Sequence, residues 1–405
     1  MEVTLKTHLY RSIAMVIIAL MALQLTNAGG FQLNEHGSRA MAQGGAWAAR
    51  AYDGSAIFFN PAGLGFQNHG SLYLGTTIIA PGVSFYGPTN QGQSGKTEMV
   101  SQVFTPINVY ATYPLMEGLT VGLGINNPYG LGTEWDDNWT GRYITQKIDL
   151  KSFFFTPTVG YKVSDNLAIG ANVSFVTGDV TLSRMVSPGD AKVELELSGT
   201  GFGFGGGVIF KATDELSIGA SYRSSVKIDA EGTAAFTPSS ALFPAGDAAA
   251  SLELPSTAFI GVAYKVMPGL ELEADYQYIG WESYKELKID FKANNSSSVS
   301  PKNYENTFII RVGGEYTMDE YQFRAGYLYD ANPVPDHYVE PLLPDSDRNG
   351  FNVGLGYKLS ETMTLDLSYL LLKFDERTVT GTEVQFDGTY QSTAHLFGIN
   401  FGYQF

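Results

Sequence analysis

The 405-residue chain has no cysteine, so no disulfide framework holds its fold together. Charge is scarce at 16% of residues, and basic charge is the scarcer sign, with 25 Lys and Arg against 41 Asp and Glu. The resulting net charge of −16 would repel nucleic acid and suits acidic, solvated loops. Long apolar runs are nearly missing. The longest, residues 13–25, falls short of the ~20 residues that a spanning helix needs. Lys6 and Arg11 precede it, and the small-residue stretch Thr26-Asn27-Ala28-Gly29 follows. That order marks residues 1–28 as a signal peptide, cut after Ala28.

Aromatic residues and glycine are abundant instead: 25 Phe, 24 Tyr and 46 Gly. Apolar side chains recur at every second position. Phe397, Ile399, Phe401, Tyr403 and Phe405 alternate with Leu396, Gly398, Asn400, Gly402 and Gln404. The same period runs through Leu119-Val121-Leu123-Ile125, Leu167-Ile169-Ala171-Val173-Phe175 and Met363-Leu365-Leu367-Tyr369. A strand with lipid on one face and a polar lumen on the other requires this pattern. Strands are expected at 71–80, 98–114, 118–127, 147–163, 166–183, 192–211, 215–235, 251–266, 269–291, 303–317, 320–331, 345–358, 362–379 and 390–405. Their links alternate between tight turns and longer loops without exception. An even strand count lets the sheet close on itself, which removes edges that lipid would not tolerate. The expected fold is all-β, a transmembrane antiparallel barrel of 14 strands over residues 70–405. A soluble sandwich or lipocalin-like fold would need several domains for this much sheet, and no linker is visible.

Residues 29–69 do not alternate. Small residues over 38–50, Asn60-Pro61-Ala62-Gly63 and the apolar Phe31, Leu33, Trp47, Ile57, Phe58 and Phe59 suit a compact plug with short helical turns. Pro61 restricts Asn60 to an extended conformation. A lumen of fourteen strands exceeds what its own side chains fill, so such a plug has room. The lumen-side charges Arg223, Arg311, Arg324, Glu273, Asp275, Glu315 and Asp366 are expected to pair with one another or with Arg39, Arg50 and Asp53. Other motifs carry little. Gly201-Phe-Gly203-Phe-Gly205-Gly206 fits a dinucleotide fingerprint on paper but lies inside a strand, away from any helix start. Asp345-x-Asp347-x-Asn349-Gly350 lacks the closing acid of a calcium loop, since its twelfth position is Gly356. No histidine sits where it could activate a serine in a G-x-S-x-G context, so neither an enzyme, a metal nor a cofactor is expected.

Gly30-Phe31-Gln32-Leu33-Asn34-Glu35 and Asn60-Pro61-Ala62 resemble the hatch of the FadL family of long-chain fatty acid and hydrocarbon transporters. So do Tyr222–Asp229, Ile279-Gly280-Trp281, Asn332-Pro333-Val334-Pro335 and Pro344-Asp345-Ser346-Asp347-Arg348, in order along the mature chain. The resemblance implies an N-terminal hatch inside the barrel and capture of a hydrophobic ligand at the outer face. It also implies hatch rearrangement and lateral exit where the third strand kinks. Hatch and gating residues would be Gly30, Phe31, Leu33, Asn60, Pro61 and Ala62. The lateral gate would involve Gly122, Gly124, Asn126 and Pro128, since glycine and proline interrupt a ladder; alternatively those glycines make room for the hatch.

Two departures bear on the ligand. The third outer link, about residues 184–191, is short, which shifts capture to loop 127–146 with Trp135, Trp139 and Tyr143 and to loop 236–250 with Phe236, Leu242 and Phe243. A fatty-acid carboxylate would want basic partners; Arg184 matches one position, but Tyr304-Glu305 offers an acid at the other. Ligand contacts are expected from Phe58, Phe59, Trp135, Trp139, Arg184, Phe236 and Phe243. The expected function is uptake of a long-chain fatty acid or, in competition with it, a monoaromatic or aliphatic hydrocarbon; a general porin is the reading from another class. Expected partners are the hydrophobic ligand, outer-membrane lipid and lipopolysaccharide, and the barrel-assembly machinery through the strand ending in Phe405. The barrel is expected to act as a monomer, without nucleic acid, in a Gram-negative outer membrane.

Overall fold

A computed structural model describes residues 29–405; the expected signal peptide lies outside them. Fourteen antiparallel strands form one closed sheet. Several consist of two pieces separated by a short irregularity, such as Leu216–Arg223 with Val226–Thr237 for the seventh. Closure joins the first strand, Ser71–Tyr86, to the last, Gly388–Gln404, with Ser71 opposite Gln404 and Tyr86 opposite Thr389. The first strand thus runs six residues past its expected end at 80, because its last turn pairs with the short piece Lys96–Glu98. No described helix is long and apolar enough to cross a membrane.

The alternation read from the sequence is that of the wall. Phe397, Ile399 and Phe401 face outward while Leu396, Gly398 and Asn400 face the lumen. Phe202 and Phe204 of the sixth strand, Ala191–Lys211, are 74% and 60% exposed. An apolar belt this continuous is stable only against lipid. The glycine run that mimics a nucleotide fingerprint is part of this strand.

Residues 29–66 are mostly buried and pack against the inner face of the wall. They form a one-turn helix Ser38–Met41, a second at Ala56–Phe59 and a 3-10 turn Pro61–Phe66. Asn60 enters that turn extended, its Oδ1 accepting the Ala62 N–H, and Pro61 stands at the first position, where a missing N–H costs nothing. The wall makes room with glycine. A Cβ on Gly122, Gly160, Gly170, Gly219, Gly313 or Gly354 would come closer than 3.0 Å to Ile57, Leu64, Pro61, Ala48, Gln43 or Ala42 of the plug. These glycines lie on the third, fourth, fifth, seventh, tenth and twelfth strands, so the plug is seated by close backbone approach around much of the circumference.

Buried charge fixes its orientation. Arg39 pairs with Glu315 at 2.7 Å, Arg50 with Glu273 at 2.7 Å, and Arg324 bridges Glu315 and Asp366 at 2.6 and 2.5 Å. Asp275 accepts the Trp47 and Ala48 N–H groups, and Arg223 donates to the Phe58 carbonyl. Only Arg311, of the charges expected to pair, has no hydrogen-bond partner among the described residues. At the long-loop end Trp135 and Trp139 stack at 4.4 Å and Trp139 packs on Phe386, so the loops fold over the mouth.

Candidate functional site

Two cavities lie between the plug and the loops. The larger, about 420 Å³, is bounded by Gly30, Phe31 and Leu33 of the plug, by Leu328, Leu372 and Leu396 of the wall, and by residues 104–107 and 129–132. The smaller, about 80 Å³, lies under the loops and is lined mainly by Leu, Ile, Val and Ala side chains, with Phe31, Tyr284, Tyr304, Ser251 and Asp179 among the rest. Phe31 lines both cavities, as do Leu131, Leu150 and Leu343. Its ring sits edge-on to Trp281 at 4.6 Å and to Tyr284 at 5.7 Å. It is therefore a partition held by aromatic contacts, each worth about 0.5–1.5 kcal/mol beyond area burial.

The larger cavity reaches the wall at the third strand. That strand is Leu119–Asn126 continued by Gly130–Glu134, and between the pieces it leaves its neighbour. Asn108 is still opposite Asn126 on the second strand, Ile107–Met116. The next backbone bond across this seam is from Val100 N–H to the Glu134 carbonyl. Between them the second strand's approach leans the other way: Phe104 bridges to Ile79, and Thr77 N–H donates to the Pro106 carbonyl. The kinked residues turn inward and pair with the plug. Leu33 N–H donates to the Pro128 carbonyl at 2.8 Å and Gly130 N–H to the Phe31 carbonyl at 3.1 Å. Asn127 stitches the edges of the kink, its Oδ1 accepting the Ile107 N–H and its amide donating to the Ser152 carbonyl. At the seam the Phe104 ring lies directly over Gly132. A kink whose backbone is satisfied by the plug is coupled to the plug's position, because an unpaired N–H or C=O at membrane depth is costly.

The plug N-terminus is held at three further points. Gly30 N–H donates to Asp345 Oδ2 at 2.8 Å, in the stretch that resembles half a calcium loop. The other members of that stretch are also engaged, Asp347 by Tyr329 and Asn332, and Asn349 by Tyr327. His36 donates from Nε2 to the Leu33 carbonyl, which leaves Nδ1 to accept the Asn126 amide. Asn60 donates to the Ala48, Val208 and Ala220 carbonyls, tying the plug to the sixth and seventh strands.

A family model described as "Outer membrane protein transport protein (OMPP1/FadL/TodX)" matches residues 18–405. The chain belongs to this family. The Escherichia coli O6:H1 long-chain fatty acid transport protein is 24% identical, covering 99% of each chain. Outer membrane protein P1 of Haemophilus influenzae is 24% identical over 95% of this chain and 97% of its own. A solved Pseudomonas aeruginosa FadL homologue superimposes with a TM-score of 0.85 at 22% identity, covering 93% of this chain and all of its own. Like other members of this family of transport proteins, the chain is a Gram-negative outer-membrane β-barrel, which places its short turns at the periplasmic end and its long loops outside.

Within this FadL-family barrel, the residues singled out in the sequence are dispersed. Gly30, Phe31 and Leu33 border the larger cavity. Gly122 and Gly124 lie in an unbroken ladder beneath Ile57, and the strand is interrupted at Asn127, Pro128 and Tyr129, of which Pro128 is one of the four residues expected at the gate. Asn126 anchors His36. Phe58 and Phe59 are plug core, with Arg223 4.0 Å over the Phe58 ring. Trp135 and Trp139 are loop core, and Phe236 stacks on Phe243 at 5.6 Å beside Phe291. Arg184 is half-buried and donates to the Tyr143 carbonyl. None of these seven ligand-contact candidates lines either of the two cavities. Phe104 and Gly132 gave no sequence signal, since they meet only as neighbours distant along the chain.

Burial first, and then the Arg223 charge, push the His36 imidazole down from 6.5 to about 3. A plug N-terminus exposed to water would restore the ordinary value. His36 therefore adds nothing to undocking above pH 6.5, and docking weakens as pH falls from 6.5 toward 3, by about 1.4 kcal/mol per unit. Protection factors over residues 30–36, which remove the intrinsic pH dependence of amide exchange, should be lower at pH 5 than at pH 7.5, and His36→Gln should remove the difference; equal protection factors at the two pH values in the parent protein would contradict this role.

Proposed function

We propose that this protein carries a hydrophobic small molecule from the outer face into the outer membrane's plane, in three stages. The ligand enters the apolar cavity under the loops and meets the Phe31 ring. Displacing Phe31 joins the two cavities and pulls on residues 30–33. Because those residues satisfy the backbone of the kink at 128–130, their movement frees the kink, and the ligand leaves sideways past Phe104. The observation that carries this reading is the pairing of Phe31 and Leu33 with Gly130 and Pro128, which makes plug position and seam one mechanical unit. Similarity to proteins named as fatty acid transporters and to a solved toluene transporter, the latter at 16% identity, is consistent with an apolar cargo. In this reading the exposed belt faces lipid and lipopolysaccharide, the strand ending at Phe405 serves assembly, and a single barrel suffices.

A general porin would need an open lumen, which the glycine-seated plug opposes. The test is uptake by cells with and without the protein. Ala394, a small residue on the wall of the larger cavity, offers a variant: Ala394→Trp should fill the cavity and cut uptake of a hydrophobic compound several-fold, roughly the effect of filling a site of about 300–1,000 Å³. Heat-modifiable gel mobility should stay normal. Unchanged uptake in this variant, with the barrel assembled, would reject the path.

A further inference from the structure

We propose that removal of the signal peptide creates the group that latches the plug. Cleavage after Ala28 leaves an α-ammonium on Gly29, and this charge is the counter-ion of Asp330 beside the larger cavity. The inference deepens the uptake path above, in which this end of the plug must move. Asp330 is buried, at 2% exposure. Its Oδ2 accepts from Arg348 Nε at 2.8 Å and Nη2 at 2.7 Å, whereas its Oδ1 has no hydrogen-bond partner among the described residues. Gly29 lies against that carboxylate: a Cβ on it would come to 2.7 Å from each of the two oxygens. The Gly29 nitrogen is bonded to the same Cα. Ordinary bond lengths therefore put it at most about 5 Å from either oxygen, a gap that rotation of a free terminus closes.

The charges around this carboxylate call for a further cation. Four carboxylates, those of Glu35, Asp275, Asp330 and Asp345, face two guanidinium groups, Arg311 and Arg348. Backbone N–H groups satisfy part of three of them: Asn34 donates to Glu35, Trp47 and Ala48 to Asp275, Gly30 and Ser346 to Asp345. The Asp330 carboxylate has Arg348 alone, and a surplus buried charge is costly unless it is matched. An α-amino group, with its ordinary pKa of about 7.7–8.0, is mostly protonated at neutral pH. An uncleaved chain would carry a neutral amide at the same place, so only the processed chain supplies the missing charge. Asp330, Arg348, Gly30 and Phe31 all border the larger cavity. The latch therefore adjoins the space that cargo fills.

The test reads acetylation of the Gly29 amine by an N-hydroxysuccinimide ester of acetate at pH 7. It uses the purified, folded protein in detergent, with the heat-denatured protein as reference. Mass spectrometry of the N-terminal peptide measures the label and identifies the first residue. The wild-type chain should start at Gly29 and react at least about tenfold more slowly than the reference, since a docked group reacts only through local opening. Asp330→Asn should restore most of the reference rate, because it removes the charge and keeps the shape. Asp330→Glu should retain much of the protection, which a purely packing role would not give. One alanine inserted between Gly29 and Gly30 moves the amine by about 3.8 Å and should expose it although Asp330 is intact. Heat-modifiable mobility should stay normal throughout. A chain that starts elsewhere, wild-type labelling at the reference rate, or protection that survives in both Asp330→Asn and the insertion overturns the proposal. Adding decane should speed wild-type labelling several-fold as cargo displaces the plug end. An unchanged rate with decane, while the variants behave as stated, would count against the uptake path and not against the latch.

Discussion

A bulky maleimide attached at Thr105→Cys should stop uptake, while the same variant left unlabelled transports at close to the parent rate. Thr105 is exposed and borders the larger cavity at the seam between the second and third strands. It follows Phe104, whose ring lies over Gly132. The chain has no other cysteine, so the label goes to this thiol alone. If ligand leaves through the seam, a large group there should lower uptake on the order of tenfold, because the remaining surroundings are hydrogen-bonded wall and plug. Leu242→Cys, at an exposed loop position away from both cavities, is the control and should tolerate the same label. Normal transport by labelled Thr105→Cys would mean that cargo takes another way out, past the plug toward the periplasm.

The second large effect concerns the plug's seat. Gly219→Val with Gly313→Val should turn a silent barrel into a steadily conducting pore. The added side chains would meet the backbone carbonyls of Ala48 and Gln43. A flexible side chain could swing aside, but these carbonyls belong to a segment pinned by Asp275, Glu273 and Glu315. Overpacking costs about 1–3 kcal/mol per site even where neighbours yield; here the plug must shift bodily. The wall should survive, since both positions keep their ladder partners, Ile209 and Gly261 for Gly219, and Glu273 and Gly326 for Gly313. Fourteen strands without a plug enclose an aqueous channel. Planar-bilayer recording checks the outcome, with heat-modifiable mobility reporting the barrel. A silent double variant with parental uptake would show that the plug does not depend on this glycine socket.

Both expectations start from features the sequence displays only in part. The glycines are countable, and Gly122 and Gly124 invited a choice between a broken strand and a seat for the plug. The structure gives them regular partners and puts Ile57 against them. The kink lies a few residues on, at Asn127-Pro128-Tyr129, where proline lacks a ladder donor. The aromatic loop residues Trp135 and Trp139 are prominent in sequence because they are large, and they are buried in the loop core for the same reason.

What the sequence determined by itself was the wall: strand number, the order of turns and loops, which residues meet lipid, and that residues 29–69 are not wall. Those properties are periodic and local, because each strand must satisfy lipid on one face and lumen on the other at every second residue. The tertiary structure alone decided which groups face each other across the lumen. Phe31 as a partition, Phe104 over Gly132 and the plug's pairing with the kink all join residues remote in sequence. No period links them, since their meeting follows from how the plug and loops pack inside a closed sheet.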